Sequence, residues 1–163
     1  MGYDSHRFAP GRALVLGGVR VEHDQGLAGH SDADAVLHAI TDAVLGALAA
    51  GDIGELFPDT DPRWAGADSS RFLAEAVRRA DEQGCRVSNC DVTVLAERPR
   101  LGAYKRQMAA RIAELLGVAP AAVSVKAKTN EQMGFLGRGE GIAVLAAVML
   151  TDTDESAGPT GKP

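Results

Sequence analysis

GHSDADAVLHAITDAVLGALAAGDIGELFPDTDP, Gly29 to Pro62, decides how the chain reads. Apolar residues recur at Val36, Leu37, Ile40, Val44, Leu45 and Leu48, the spacing of an amphipathic helix with one buried stripe. Ser31 or Asp32 suits the N-cap, where a side-chain oxygen accepts from the first-turn N–H groups. Residues four apart share a helix face, so Asp34, His38 and Asp42 form a polar row one turn apart, with His30 just before it. Imidazole beside carboxylate is what a metal site uses, one group as ligand and another to orient it. The same row also serves as a solvated surface cluster. The remainder of the chain has to decide between the two.

Working outward, Met1 to Pro10 (MGYDSHRFAP) places Asp4 and His6 two residues apart, on one face if the segment is extended. ALVLGGVRVEHDQG reads as two short strands turned by Gly17-Gly18. The helix ends near Gly51, and Gly51 to Gly66 is a long Gly- and Pro-punctuated loop carrying Asp52, Asp59 and Asp61, a length that favours function. A second helix is expected over about Ser69 to Gln83, a strand over Val87 to Ala96, a third helix over about Leu101 to Leu116, and strands over Val123 to Ala127 and Ile142 to Leu150. Interleaved strands and helices give an α+β sandwich: one mixed sheet of about four strands with helices on one face. Residues 1–150 are expected to form one domain and 151–163 a disordered tail.

Composition narrows the classes. The 163 residues are 45% hydrophobic and 24% charged, as in ordinary soluble domains. A net charge of −5 and a pI near 5.3 give no electrostatic case for nucleic acid or an anionic membrane. Cys85 and Cys90 make no C-x-x-C pair and read as reduced structural thiols. Ile142 to Leu150 is too short to span a bilayer and no basic-then-apolar leader opens the chain, so a cytoplasmic protein is expected.

Three clusters offer chemistry. All four histidines, His6, His23, His30 and His38, lie in the first 38 residues. Asp4 and His6 on a strand with His38 on a helix would supply three ligands and leave one position for substrate or water, the form of a catalytic zinc site; D-x-H alone is too short to establish it. Asp34 or Asp42 would then fix the tautomer of His38. Lys126 to Gly141 (KAKTNEQMGFLGRGEG) lacks the ending of a Walker loop, yet combines Lys128, Thr129, Glu131 and Arg138 with glycines. Cations and a hydroxyl suit phosphate, and the carboxylate suits a hard cation; a solvated glycine-rich turn reads the same way. AERPRL, Ala96 to Leu101, exposes backbone that could read a base edge, or simply links strand to helix. PDTDP, Pro58 to Pro62, is a rigid acidic turn or a plain loop. No nucleophile elbow or serine triad order appears, which leaves metal-plus-phosphate chemistry.

GYDSHRF, the Gly29–Pro62 block, DVTVLAERPRL and VKAKTNEQMGFLGRGEGIAVLA, in this order, closely resemble the 2-C-methyl-D-erythritol 2,4-cyclodiphosphate synthase family over about residues 2–150. The resemblance implies cyclisation of 4-diphosphocytidyl-2-C-methyl-D-erythritol 2-phosphate with release of CMP, in isoprenoid precursor biosynthesis. It implies zinc on Asp4, His6 and His38, and a second divalent ion, Mg2+ or Mn2+, near Glu131. His30 and Thr129 would stabilise the transition state. Substrate contacts would come from Asp4, Ser5, His6, His30, Ser31, Asp52, Ile53, Gly54, Phe57, Pro58, Asp59, Thr60 and Asp61. Ala96, Glu97, Arg98, Pro99, Arg100, Leu101 and Gly102 would form the cytidine pocket. Lys128, Thr129, Asn130, Glu131, Phe135 and Arg138 complete the set. A homotrimer with sites between neighbours is implied, and Tyr3, Arg138 and Glu140 match the rim of a threefold channel for an isoprenoid diphosphate.

The chain departs from the family pattern in places. Only Met1 and Gly2 precede Tyr3, so a shortened first strand is expected; Arg100 stands where many members have Lys and Lys128 where many have Thr; no cytidylyltransferase segment is seen. Two other readings compete: a metal-dependent phosphohydrolase, and a non-catalytic isoprenoid-diphosphate-binding trimer.

Overall fold

The computed structural model describes residues 1–153. Its seven strands are β1 (Gly2–Pro10), β2 (Leu14–Leu16), β3 (Val19–Val21), β4 (Gln25–Leu27), β5 (Cys85–Leu95), β6 (Val123–Lys128) and β7 (Gly141–Asp152). Helices α1 (Ala35–Ala47), α3 (Ser70–Glu82) and α4 (Lys105–Leu116) pack on the sheet, with single turns α2 (Ile53–Leu56) and α5 (Gly134–Gly137) in the loops. The main sheet runs β4-β1-β7-β5-β6, antiparallel except for the β5–β6 pair. It has five strands rather than the four expected. The extra one, β4, pairs Gln25 to Leu27 with Pro10 to Phe8, and three residues are too few to show a period.

β2 and β3 form a separate ribbon, turned as expected at Gly17 (φ 62°) and Gly18 (φ 70°), the left-handed pair a two-residue hairpin demands. Helix α1 differs from an amphipathic surface helix: Ala35 through Thr41 and Ala43 through Leu45 are all buried, His38 and Thr41 among them. It lies against β1 and β7 with α3 alongside, the position of a helix apolar nearly all round. Contact with β1 is close at Gly2, where a Cβ would sit 2.0 Å from the Ala39 carbonyl oxygen. That approach sets Asp4 and His6, further along β1, beside the α1 side chains.

The α1 cap is Asp34 rather than Ser31 or Asp32. Its Oδ1 accepts from Val36 and Leu37 N–H and from Gly17 N–H at 2.8–3.1 Å, and its Oδ2 accepts from Gly18 N–H at 2.6 Å. One fully buried carboxylate thus caps the helix and ties down the β2–β3 turn. Burial pushes its pKa up, against the pull of the Gly18, Gly17 and Leu37 N–H donors. At the other end, β7 continues through Thr151 and Asp152, beyond the boundary expected at Leu150; residues 154–163 of the expected tail lie outside the described residues.

Candidate active site

Asp4 and His6 alternate onto the same, helix-facing side of β1, as their spacing predicts, and His38 meets them from α1. Asp4 Oδ2 lies 2.9 Å from His6 Nε2 and 3.2 Å from His38 Nδ1; the two ring nitrogens are 3.3 Å apart. Candidate ligand atoms of all three fall within 4.8 Å of one another. The other nitrogen of His6, Nδ1, donates to the Ala28 carbonyl at 2.6 Å, so neutral His6 turns its Nε2 lone pair inward. The Asp4 oxygen and the His6 lone pair therefore converge beside His38 Nδ1, an arrangement that suits a cation.

Burial opposes charge on His6, but hydrogen bonding and the charge of Asp4 outweigh it and raise the His6 pKa. Burial likewise pushes the Asp4 carboxyl up, yet the His38 and His6 imidazoles beside it outweigh that and hold it at about 2. The donor set fits a divalent ion: two imidazoles and one carboxylate, with the remaining side open to a cavity.

That cavity, about 470 Å³, is lined by Asp4, His6, His30, Ser31, His38, Ile53, Gly54, Phe57, Pro58 and Asp59 among the expected residues. His30 Nε2 donates to the Asp61 carbonyl at 3.1 Å, which joins the catalytic candidate to the Asp59–Asp61 loop. Gly29 also lines the cavity, as do two aromatic side chains that sequence reasoning missed, Trp64 and Phe72. With Phe57 they form a cluster of edge and tilted contacts at 4.6–5.6 Å between ring centres, and Phe72 also reaches the His38 ring at 5.9 Å. The available signal was a tryptophan in the Gly51–Gly66 loop and a phenylalanine, Phe72, near the start of the second expected helix.

Other expected residues sit elsewhere. Ser5 falls on the opposite face of β1 from Asp4 and His6. Asp52 caps α2 through Glu55 N–H at 2.9 Å, and Asp61 pairs its carboxylate with Arg63; neither lines the cavity, nor does Thr60. The Asp34 and Asp42 carboxylates make no hydrogen bond to His38, whose one bond to Asp34 is the helical N–H to its carbonyl at 3.0 Å. Asp34 is committed to backbone, and Asp42 Oδ1 accepts from Ile53 N–H at 2.8 Å, anchoring the α2 turn. A helical row put them on one face, but capping and loop anchoring took both carboxylates. The His38 Nε2 partners are Ser69 Oγ at 2.8 Å and Ser31 Oγ at 3.2 Å.

Ala96, Pro99, Arg100, Leu101, Gly102, Lys128 and Thr129 line a second cavity of about 440 Å³. Glu97, Arg98 and Arg138 line a third, which also takes in Pro99 and Arg100. Neither shares a residue with the Asp4–His6–His38 cavity. Glu97 Oε1 accepts from Asn130 and Gln132 N–H at 2.9 and 3.0 Å, and holds the turn in which Glu131 and Gln132 carry positive φ of 49° and 62°. The Thr129 hydroxyl donates to Glu131, Arg138 donates to Glu140 at 2.6 Å, and Phe135 is exposed.

No helix among the described residues is long and apolar enough to cross a membrane. The YgbB family model matches residues 1–151. The chain is 57% identical over 149 residues to 2-C-methyl-D-erythritol 2,4-cyclodiphosphate synthase of Symbiobacterium thermophilum, covering 91% of this chain and 95% of that protein. It is 54% identical over 156 residues to the bifunctional enzyme IspD/IspF of Erythrobacter litoralis, covering 96% of this chain but only 40% of that one. The chain thus spans about two-fifths of the bifunctional relatives it matches. A 2C-methyl-D-erythritol-2,4-cyclodiphosphate synthase structure with CDP bound superposes with a TM-score of 0.84 at 37% identity, over 92% of this chain and 97% of that one. With the family model matching residues 1–151 and a relative 57% identical over 149 residues, the chain belongs to the YgbB family.

Proposed function

We propose that residues 1–150 act as one cytoplasmic domain that cyclises 4-diphosphocytidyl-2-C-methyl-D-erythritol 2-phosphate, releasing CMP and the 2,4-cyclodiphosphate. The observation that carries this reading is the convergence of Asp4, His6 and His38 acceptors at the mouth of an aromatic-walled cavity. The nucleophile would be the substrate's own 2-phosphate, ionised at neutral pH, so a chain without a general base beside the cluster suffices. Asp4, His6 and His38 would hold zinc, and Glu131 a Mg2+ or Mn2+ ion. Cations at these places supply Lewis-acid polarisation of the phosphates and offset the repulsion between them.

The chain's own groups do the rest. His30 lines the cavity and would meet phosphate oxygen by exchanging its Nε2–H bond to the Asp61 carbonyl, and Thr129 offers a hydroxyl. Ala96 to Gly102 receives the cytidine, while Lys128 and Arg138 meet phosphate. Ser5, Asp52, Asn130 and Phe135 complete the substrate contacts. Phe57, Trp64 and Phe72 exclude water, which favours attack by the tethered phosphate over hydrolysis.

The division of the expected residues among separate cavities supports a site shared between copies, which would be those of a homotrimer. The open face of the sheet, where Tyr3 pairs Leu145 and Met149 follows, leaves these three large side chains exposed and supports assembly there. Tyr3, Arg138 and Glu140 would then rim a threefold channel suited to an isoprenoid diphosphate.

The test is an assay of the purified chain with the diphosphocytidyl 2-phosphate, Zn2+ and Mg2+, following CMP and identifying the second product by mass. Stoichiometric CMP and cyclic diphosphate, lost on chelation and regained with metal, are expected. CMP with an uncyclised product would establish hydrolysis instead, and isoprenoid-diphosphate binding with no CMP would establish a non-catalytic trimer.

A further inference from the structure

Ser69 holds the N-cap position of α3 but does not cap it; its side chain makes no bond to the helix N–H groups. The residue is fully buried, and its hydroxyl lies between His38 and Asp32 instead. Ser69 Oγ is 2.8 Å from His38 Nε2 and in hydrogen-bond contact with Asp32 Oδ1, while Ser69 N–H donates to Asp32 Oδ2 at 3.2 Å. Asp32 Oδ1 also accepts from Asp34 N–H at 3.2 Å, so its carboxylate is oriented before Ser69 reaches it.

The direction of each bond follows from the donor inventory. An ionised carboxylate only accepts, so the Ser69 proton goes to Asp32. Its oxygen is then left as an acceptor toward His38, and Nε2 must carry the ring proton. His38 Nδ1 keeps its lone pair, pointing at Asp4 Oδ2 and His6 Nε2. Ser31 Oγ is a poorer partner, at 3.2 Å from Nε2 and already accepting from Ala33 N–H at 3.1 Å.

We propose that Asp32 and Ser69 are positioning residues that fix the tautomer and rotation of His38 and so keep its Nδ1 available as a metal ligand. This rests on reading Asp4, His6 and His38 as the metal site. Ser69 and Asp32 do for His38 what the Ala28 carbonyl does for His6. Groups behind metal-bound histidines commonly change metal affinity ten- to a hundredfold.

The experiment measures zinc affinity of the full chain by competition with a chromophoric chelator, alongside 15N side-chain spectra of the metal-free protein, which report which ring nitrogen carries hydrogen. Wild type should bind zinc and show His38 protonated at Nε2. Ser69→Ala should lose ten- to a hundredfold in zinc affinity and mix its tautomers, and Ser69→Thr, which keeps the hydroxyl, should restore most of both. Asp32→Asn should weaken zinc by about tenfold, and Ser31→Ala should leave the tautomer in place. Equal zinc affinity in wild type and Ser69→Ala, or a tautomer shift in Ser31→Ala but not Ser69→Ala, would overturn the inference alone. A wild-type chain that takes no zinc would overturn the metal-site reading and this with it. Should Ser69→Ala not fold, the wild-type spectrum decides: hydrogen on His38 Nδ1 contradicts the relay.

Discussion

The two halves of the candidate site are built differently. Around Asp4, His6 and His38, several groups have their outer atoms committed to the frame: His6 to the Ala28 carbonyl, His38 to Ser69, and Asp34 nearby to four backbone N–H groups. Around Ala96–Gly102 and Lys128–Arg138, charged side chains mostly engage one another or the loop at the surface, as in Arg138 with Glu140 and Thr129 with Glu131. Surface pairs contribute about 0–1 kcal/mol each, so exchanging them for phosphate costs little. On the proposed function, the rigid cluster would hold the metal and the exchangeable pairs would meet the substrate's phosphates.

The contrast breaks first at His38. His38→Ala removes a ligand from the rigid half and should lower CMP release at least a thousandfold, roughly 4 kcal/mol, while light scattering reports an unchanged oligomer. Full activity would sink the ligand assignment. Asp34→Ala tests the frame behind it. Four N–H groups would lose their acceptor inside the protein, an expected loss of about 3 kcal/mol in urea unfolding. A loss below about 1 kcal/mol would mean that the turn and helix end hold without it.

Acid should act on the same half. With its carboxyl held at about 2 against an ordinary 3.8, Asp4 stabilises the metal-free fold above pH 3.8 and loses that contribution as pH falls through about 2. The shift corresponds to roughly 2 kcal/mol, read from urea midpoints of wild type against Asp4→Asn across that window. The smallest effect belongs to the adaptable half. Glu97→Ala removes the acceptor from Asn130 and Gln132 beside two strained residues, and should reduce kcat/KM about tenfold, with Glu97→Gln recovering most of it. A thousandfold loss in Glu97→Ala would erase the distinction between the halves.

What the sequence made legible was local. Three-and-four spacing gave α1, Gly17-Gly18 gave the hairpin, and D-x-H on a strand put Asp4 and His6 on one face. What stayed hidden was decided across the fold. Helical periodicity aligned Asp34 and Asp42 with His38, but could not show that a turn seventeen residues back and a loop eleven residues on would claim their carboxylates. Ser69 and Asp32 stand 37 residues apart and meet only after α3 docks against α1. β4 is too short to carry a period. Nor could adjacency along Gly29–Pro62 and Ala96–Gly102 reveal that the two lists line separate cavities.

The most direct test of the metal centre is zinc X-ray absorption on the metal-free chain loaded with one equivalent. Two imidazole nitrogens and oxygen donors near 2.0–2.1 Å are expected, with one histidine contribution lost in His38→Ala. A sulfur shell near 2.3 Å, placing the ion on Cys85 or Cys90, or a spectrum that His38→Ala leaves unchanged, would contradict it.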